Sequence, residues 1–179
     1  MPKRIILTGG PSTGKTSVIQ QLKSLHYHCI DEVSREVIQQ AQKQGIDQLF
    51  LQDPLQFSSL LLEARIQQFE DARTVAAPQV YIDRGIPDTV AYMDYIKTAY
   101  HERFAYACQT YRYDQVFMFP IWEEIYTPDA ERYENLEQAQ YIQEHIENTY
   151  ADYGYEVITV PQDSIEARAQ FIIKQTAID

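Results

Sequence analysis

A three-layer α/β fold, with a parallel sheet covered by helices on both faces, is what this sequence predicts. Three observations carry the prediction. Short apolar runs alternate with longer stretches of helical spacing along the whole chain. The first apolar run ends on a glycine-rich turn that opens a helix. The 179 residues contain no internal repeat, no low-complexity tract and no Pro/Gly/Ser-rich linker, which suits one domain over residues 1–179.

Five strands are expected at Arg4–Thr8, His28–Ile30, Val80–Asp83, Gln115–Phe119 and Glu156–Val160. Each is short, rich in Ile, Val, Tyr or Phe, and followed by a turn signal. A first helix runs from Gly14 to about Leu25, and a second follows Asp31-Glu32-Val33-Ser34 and stops near Gly45. The third has Asp53 as N-cap, Pro54 at N1 and Gln56 at N3, with Leu55, Leu62, Ile66 and Phe69 turned inward. A fourth begins near Pro87 and a fifth covers about Ala99–Tyr111. The segment Leu136–Tyr150 places Ala139, Ile142 and Ile146 on one face. The last helix takes Asp163 as N-cap and Glu166 at N3, with Ile165, Ala169, Ile172 and Ile173 inward. Between Pro120 and Asn135 neither period is clear, and a polar segment of that length inside a domain suits a functional loop.

Composition narrows the function. The net charge of −11 argues against a general nucleic-acid binder, which needs a Lys/Arg surplus, and against an anionic membrane surface as a default partner. Cys29 and Cys108 have neither metal spacing nor a disulfide framework. No apolar run approaches the length of a membrane span, and the N-terminus lacks a signal-peptide core, so a cytoplasmic setting is expected. Fourteen tyrosines, six of them between Tyr92 and Tyr113, are read as packing rather than base stacking in so acidic a chain.

The turn itself reads Gly9-Gly10-Pro11-Ser12-Thr13-Gly14-Lys15-Thr16, followed by Ser17. This is the P-loop pattern in its proper context of strand before and helix after. The glycines let backbone N–H groups turn toward a phosphate, and the helix N-terminus adds about half a positive charge there. Lys15 should reach the β- and γ-phosphates of a nucleoside triphosphate, and the Thr16 hydroxyl should ligate Mg²⁺. Asp83 stands at the C-terminal end of a buried strand, facing the ligand crevice of an open sheet, and is the expected acidic partner of the metal. Arg84 beside it offers a planar fork for phosphate. Asp31 and Glu32 follow the second strand, and either could accept a proton from a substrate hydroxyl. Arg35 lies one turn further, and Arg132 is the arginine of the 120–135 segment, placed to neutralise a transferring phosphoryl group.

With these landmarks the chain resembles the P-loop proteins of the NadR-like AAA ATPase group, named partly for the ribosylnicotinamide kinase domain of NadR. The resemblance runs over nearly the whole chain. It rests on Gly9–Thr16, Asp31-Glu32-Val33-Ser34-Arg35-Glu36, Asp83-Arg84-Gly85-Ile86-Pro87-Asp88, Asp129-Ala130-Glu131-Arg132 and Tyr153-Gly154-Tyr155-Glu156-Val157. It implies a nucleoside- or nucleotide-kinase-like fold, with five parallel strands in the order 2-3-1-4-5 and a lid over about residues 120–135. Carried over, Glu32 or Asp31 takes the catalytic-base position, Asp83-Arg84 the metal and phosphate position, and Arg132 the lid arginine.

Two functions follow. One is an ATP-dependent kinase that phosphorylates a small hydroxyl-bearing metabolite, such as a nucleoside or riboside. The other is an ATPase or nucleotide-dependent binding module with no phosphorylated small-molecule product. The absence of an Asn-Lys-x-Asp motif argues against a Ras-like GTPase. Nothing in the sequence identifies the acceptor or the oligomeric state.

Overall fold

The computed structural model describes residues 1–43, 45–46, 48–125 and 135–177. Five strands, β1 (Lys3–Gly9), β2 (His28–Ile30), β3 (Gln79–Asp83), β4 (Gln115–Phe119) and β5 (Val157–Thr159), form one sheet. Its order is β2-β3-β1-β4-β5, and every pairing is parallel. The helices are α1 (Lys15–Ser24), α2 (Ser34–Lys43), α3 (Leu49–Gln52), α4 (Pro54–Ala72), α5 (Ile86–Tyr95), α6 (Glu102–Thr110), α7 (Leu136–Asp152) and α8 (Ile165–Thr176).

Alternation along the strands divides the core in two. Ile6, Val80, Ile82, Val116 and Met118 face one side, where residues of α4, α5, α6 and α7 pack on them. Ile5, Leu7, Tyr81, Phe117 and Phe119 face the other, under α1 and α8. Both faces are therefore dry, which is why the central strands read as unbroken apolar runs. A third cluster joins Val33, Val37 and Ala41 of the α2 region to Leu49 and to Phe57 and Leu61 of α4.

Several helix starts follow the local chemistry. The Asp53 side chain accepts from Gln56 N at 2.9 Å, with Pro54 opening α4. Asn135 and Gln138 exchange side-chain to backbone bonds at 2.9 and 2.8 Å, a capping box at the start of α7. At α8 the cap is Ser164 rather than Asp163: Ser164 Oγ accepts from Ala167 N at 3.1 Å, and Asp163 accepts instead from Ser164 N. Ala169 and Ile172 sit fully buried on the sheet, whereas Ile165 is 37% exposed. Packing of the later turns sets the helix register, so the first apolar position is left outside. The short α3 was not foreseen, because its four residues are too few to show a period.

Helices on both faces leave the C-terminal ends of the strands open. The chain leaves β1 through α1 toward β2, and leaves the adjacent β3 through α5 and α6 on the other face toward β4, so the crevice above β1 and β3 is the topological switch point.

Candidate functional site

The loop between β1 and α1 is shaped by its glycines. Gly14 holds φ = 76°, a left-handed conformation that costs a side-chain-bearing residue. Gly9 packs so tightly that a Cβ there would collide with the Phe119 carbonyl of β4. Thr13 is buried and its hydroxyl donates to Gly10 O at 3.2 Å, bracing the turn from within. No side chain caps α1, and no acidic residue stands in its first turn. The free N–H groups of this helix start are thus left for an anion.

Lys15 is buried at the base of the loop. Burial above all, and then Arg84 nearby, lowers its pKa to about 8, against the pull of Asp83, Glu32 and Asp88. A buried, poorly compensated ammonium is a strong attractor for phosphate oxygens. Asp83 is also buried, and its Oδ1 has no hydrogen-bond partner. Burial raises its pKa, with Lys15 opposing and Glu32 reinforcing the rise. An orphaned carboxylate oxygen beside this loop is a ligand that a hard cation would satisfy. Among the described residues, no group of three or more His, Cys, Asp or Glu could hold a metal by itself.

Facing the loop is a ladder of charges. Glu32, just after β2, accepts from Arg65 Nη2 at 3.1 Å and pairs with Arg84 Nε at 2.9 Å. Ser34 N donates to the same carboxylate at 3.1 Å. Burial would raise the Glu32 pKa, but Arg65 and then Arg84 hold it below the ordinary carboxylate range, so the group is anionic. The ladder is anchored on α5. Arg84 Nη1 donates to Asp88 at 3.2 Å, and Arg65 Nη1 donates to Thr89 Oγ1 at 2.8 Å. Asp88 also accepts from Thr8 Oγ1, from Gly85 N at 2.8 Å and from Tyr150 OH at 2.6 Å. Burial works against the Asp88 charge, yet Arg84, Arg65 and these donors keep its pKa low. Arg84 itself has φ = 67°, a left-handed turn that throws its side chain from the end of β3 across to Glu32.

The structure therefore brings Lys15, Glu32, Asp83 and Arg84 together. Thr16 and Ser17 lie exposed on the first turn of α1, next to Lys15. It does not bring Asp31 there: that side chain is 67% exposed and pairs with Lys23 at 2.6 Å. Of the two adjacent acids only Glu32 reaches the crevice, because successive residues of an extended segment point to opposite sides. Arg35 is exposed on α2. Arg132 and the rest of residues 126–134 of the expected lid lie outside the described residues; the described start of that segment, Pro120–Ile125, carries one 3₁₀ turn, Glu123–Ile125.

Three charged residues escaped sequence reasoning as site groups. Arg65 follows the inward register Leu61, Leu62, Arg65, Phe69 of α4 and is buried. Asp88 is the third residue of α5, and Arg168 sits with Ala169, Ile172 and Thr176 on the buried face of α8. For Arg65 and Arg168 the available signal was a charge at an apolar register position, which the hydrophobic pattern alone passes over; for Asp88 it was an acidic N3 residue beside Gly85, a capping-box position.

The family model described as an AAA domain, AAA_28, matches residues 4–168. No curated protein matches the chain. Solved structures share its fold at low identity. NadR in complex with NR superposes with a TM-score of 0.70 at 17% identity, over 99% of this chain and 52% of that one. Deoxyadenosine kinase from M. mycoides, with dCMP and dCDP bound, gives 0.69 at 14% identity over 96% and 97%. Shikimate kinase from Aquifex aeolicus gives 0.57 at 18% over 96% and 94%.

Proposed function

We propose that this chain, which belongs to the AAA domain family by a match over residues 4–168 and has a NadR-like P-loop NTPase fold, is an ATP-dependent kinase acting on a small hydroxyl-bearing metabolite of the nucleoside or riboside class. The observation that carries this reading is the ionised Glu32, held by Arg65 and Arg84 across the crevice from the Lys15 loop. An ATPase needs only to place water, whereas transfer to an alcohol uses a positioned carboxylate beside the phosphate cradle.

In this reading residues 1–179 work as one nucleotide-binding unit. Gly9, Gly10, Pro11, Ser12, Thr13 and Gly14 wrap the β- and γ-phosphates of ATP, and Lys15 holds their charge. Thr16 and Asp83 would hold Mg²⁺, which fits the orphaned Asp83 oxygen and would supply charge neutralisation on the phosphates. Glu32 orients the acceptor hydroxyl and takes its proton. The bond from the γ-phosphorus to the β,γ-bridging oxygen breaks as the bond to the acceptor oxygen forms, leaving ADP and a phosphomonoester. Arg84 shares its guanidinium between Glu32 and the transferring group, and Arg132 helps to neutralise the charge on that group. Neither nucleic acid nor a membrane enters this scheme. Among the described residues no helix is long and apolar enough to cross a membrane, and a cytoplasmic setting accords with the scheme.

The double pairing of Glu32 also supports a second reading, in which the acid is kept occupied and triphosphate binding switches a loop without a phosphorylated product. One experiment separates the two. The protein is incubated with MgATP and a panel of nucleosides, ribosides and vitamins, and the products are weighed by mass spectrometry. A kinase adds one phosphoryl group to an acceptor, and the product disappears with Lys15→Ala. Phosphate release with no phosphorylated acceptor across the panel would favour the switch.

A further inference from the structure

Arg168 has no part of its own in that scheme, yet it touches the phosphate loop. It is buried in the second turn of α8, and its Nη1 donates to the backbone carbonyl of Thr13 at 3.1 Å. Its Nε has no partner. The guanidinium carbon stands 5.7 Å from the centroid of Trp122, which covers it from the root of the 120–135 segment. On the loop side it presses on Gly14: a Cβ there would lie 2.8 Å from Nη1 and 3.0 Å from Nη2.

A trans peptide points its C=O and N–H in opposite directions, and no peptide bond in the described chain is cis. The Thr13 carbonyl and the Gly14 N–H belong to the same peptide plane. A bond from Arg168 that holds the carbonyl toward α8 therefore turns the Gly14 N–H the other way, into the concave side of the loop. There it joins the uncapped N–H groups of α1. Glycine suits this arrangement, since its left-handed φ disfavours a side chain and a Cβ there would push the guanidinium aside. The buried cation adds positive potential behind the loop, in a chain whose net charge is −11.

We propose that Arg168 is a positioning residue of the phosphate loop, which holds the Thr13 carbonyl outward and so fixes the Gly14 N–H as a donor to a nucleotide phosphate. The proposal rests on the reading of Gly9–Thr16 as the triphosphate site. Trp122 restrains the guanidinium and ties this orientation to the start of the lid segment.

The test measures MgATP affinity by calorimetry for the wild-type chain, Arg168→Lys and Arg168→Met, and follows the Gly14 amide by ¹H–¹⁵N NMR. Methionine keeps bulk and loses the donor, so its affinity should fall about tenfold, the value of one charge-assisted hydrogen bond. Lysine keeps one donor, so Arg168→Lys should stay within about threefold of wild type. The Gly14 amide proton should move downfield on adding ATP to wild type and Arg168→Lys, and less so in Arg168→Met. Equal affinity of wild type and Arg168→Met, or a lysine variant as weak as the methionine one, overturns the assignment. Should Arg168→Met fail to fold, a Gly14 amide that ATP leaves unmoved in the wild type, while ATP still binds, overturns it as well. Absence of ATP binding by the folded wild type instead removes the triphosphate reading itself, which distinguishes the two failures.

Discussion

The phosphate loop and the charge ladder face each other across one crevice, but they are built from different materials. The loop is backbone: eight consecutive residues whose value lies in N–H direction, glycine conformation and a helix start. The ladder is side chain: Glu32 after β2, Arg65 on α4, Arg84 after β3 and Asp88 on α5, joined by ion pairs. A backbone cradle binds whatever carries phosphate and is tolerant of its surroundings. A side-chain ladder holds its charges only while every rung is present, because each buried ion is stabilised by its neighbours. The expected division is that the loop governs nucleotide binding and the ladder governs transfer.

Glu32→Gln tests this division most severely. It keeps the shape and removes the charge, and kcat should fall by about 10²–10⁴-fold, the usual worth of a positioned base, with ATP affinity nearly unchanged. Equal loss of both in steady-state kinetics and calorimetry would erase the distinction between the regions. Lys15→Ala should act on the other side, lowering phosphoryl transfer by about 10²–10³-fold and weakening MgATP binding in the same assays. Unaltered ATP binding would remove the loop from the site.

Arg65→Met should be felt as stability. It leaves Glu32 with one cationic partner fewer and Thr89 without its donor. A loss of about 3 kcal/mol in urea unfolding is expected, as for other broken buried pairs. A loss below about 0.5 kcal/mol would show that the ladder is not cooperative.

The smallest effect is a pH dependence peculiar to the loop. Lys15 titrates near 8 in the folded chain and near 10.5 when exposed. Between those values the unfolded chain binds the extra proton, so Lys15 should make stability rise with pH across that window. ATP binding needs the ammonium, so its affinity should fall over the same window, by at most about tenfold per pH unit, with proton uptake on binding. Calorimetry in buffers of different ionisation enthalpy reads the uptake directly. Zero proton uptake at pH 9 would mean that Lys15 does not meet the phosphate.

The same contrast explains what could be read in advance. Gly9–Thr16 was legible because its chemistry is contiguous, and a strand before and a helix after were enough to place it. The central strands were legible because both faces of the sheet are buried there, leaving runs such as Arg4–Thr8 and Val80–Asp83 with little polar relief. The sheet order came from the resemblance and not from any strand, since a central strand looks alike in any position. Arg65 and Arg168 were hidden because helical spacing assigns their positions to the core. Only packing shows that a charge can occupy such a place when Glu32 or the Thr13 carbonyl meets it. Asp31 and Glu32 were indistinguishable as neighbours in sequence; the backbone direction after β2 turned one toward Lys23 and the other toward the arginines.

By itself, then, the sequence determined the glycine-rich turn from β1 into α1, the alternation of strands and helices, and the acidic character of the whole chain. These depend on local backbone preference and on composition, which neighbours in the chain already contain. The tertiary structure alone decided that Glu32 and not Asp31 faces the loop, that Arg65 and Asp88 complete the ladder, and that Arg168 reaches Thr13 from a helix 155 positions away. Such contacts depend on distances between segments far apart in the chain, and those distances exist only once the sheet is formed and both faces are packed.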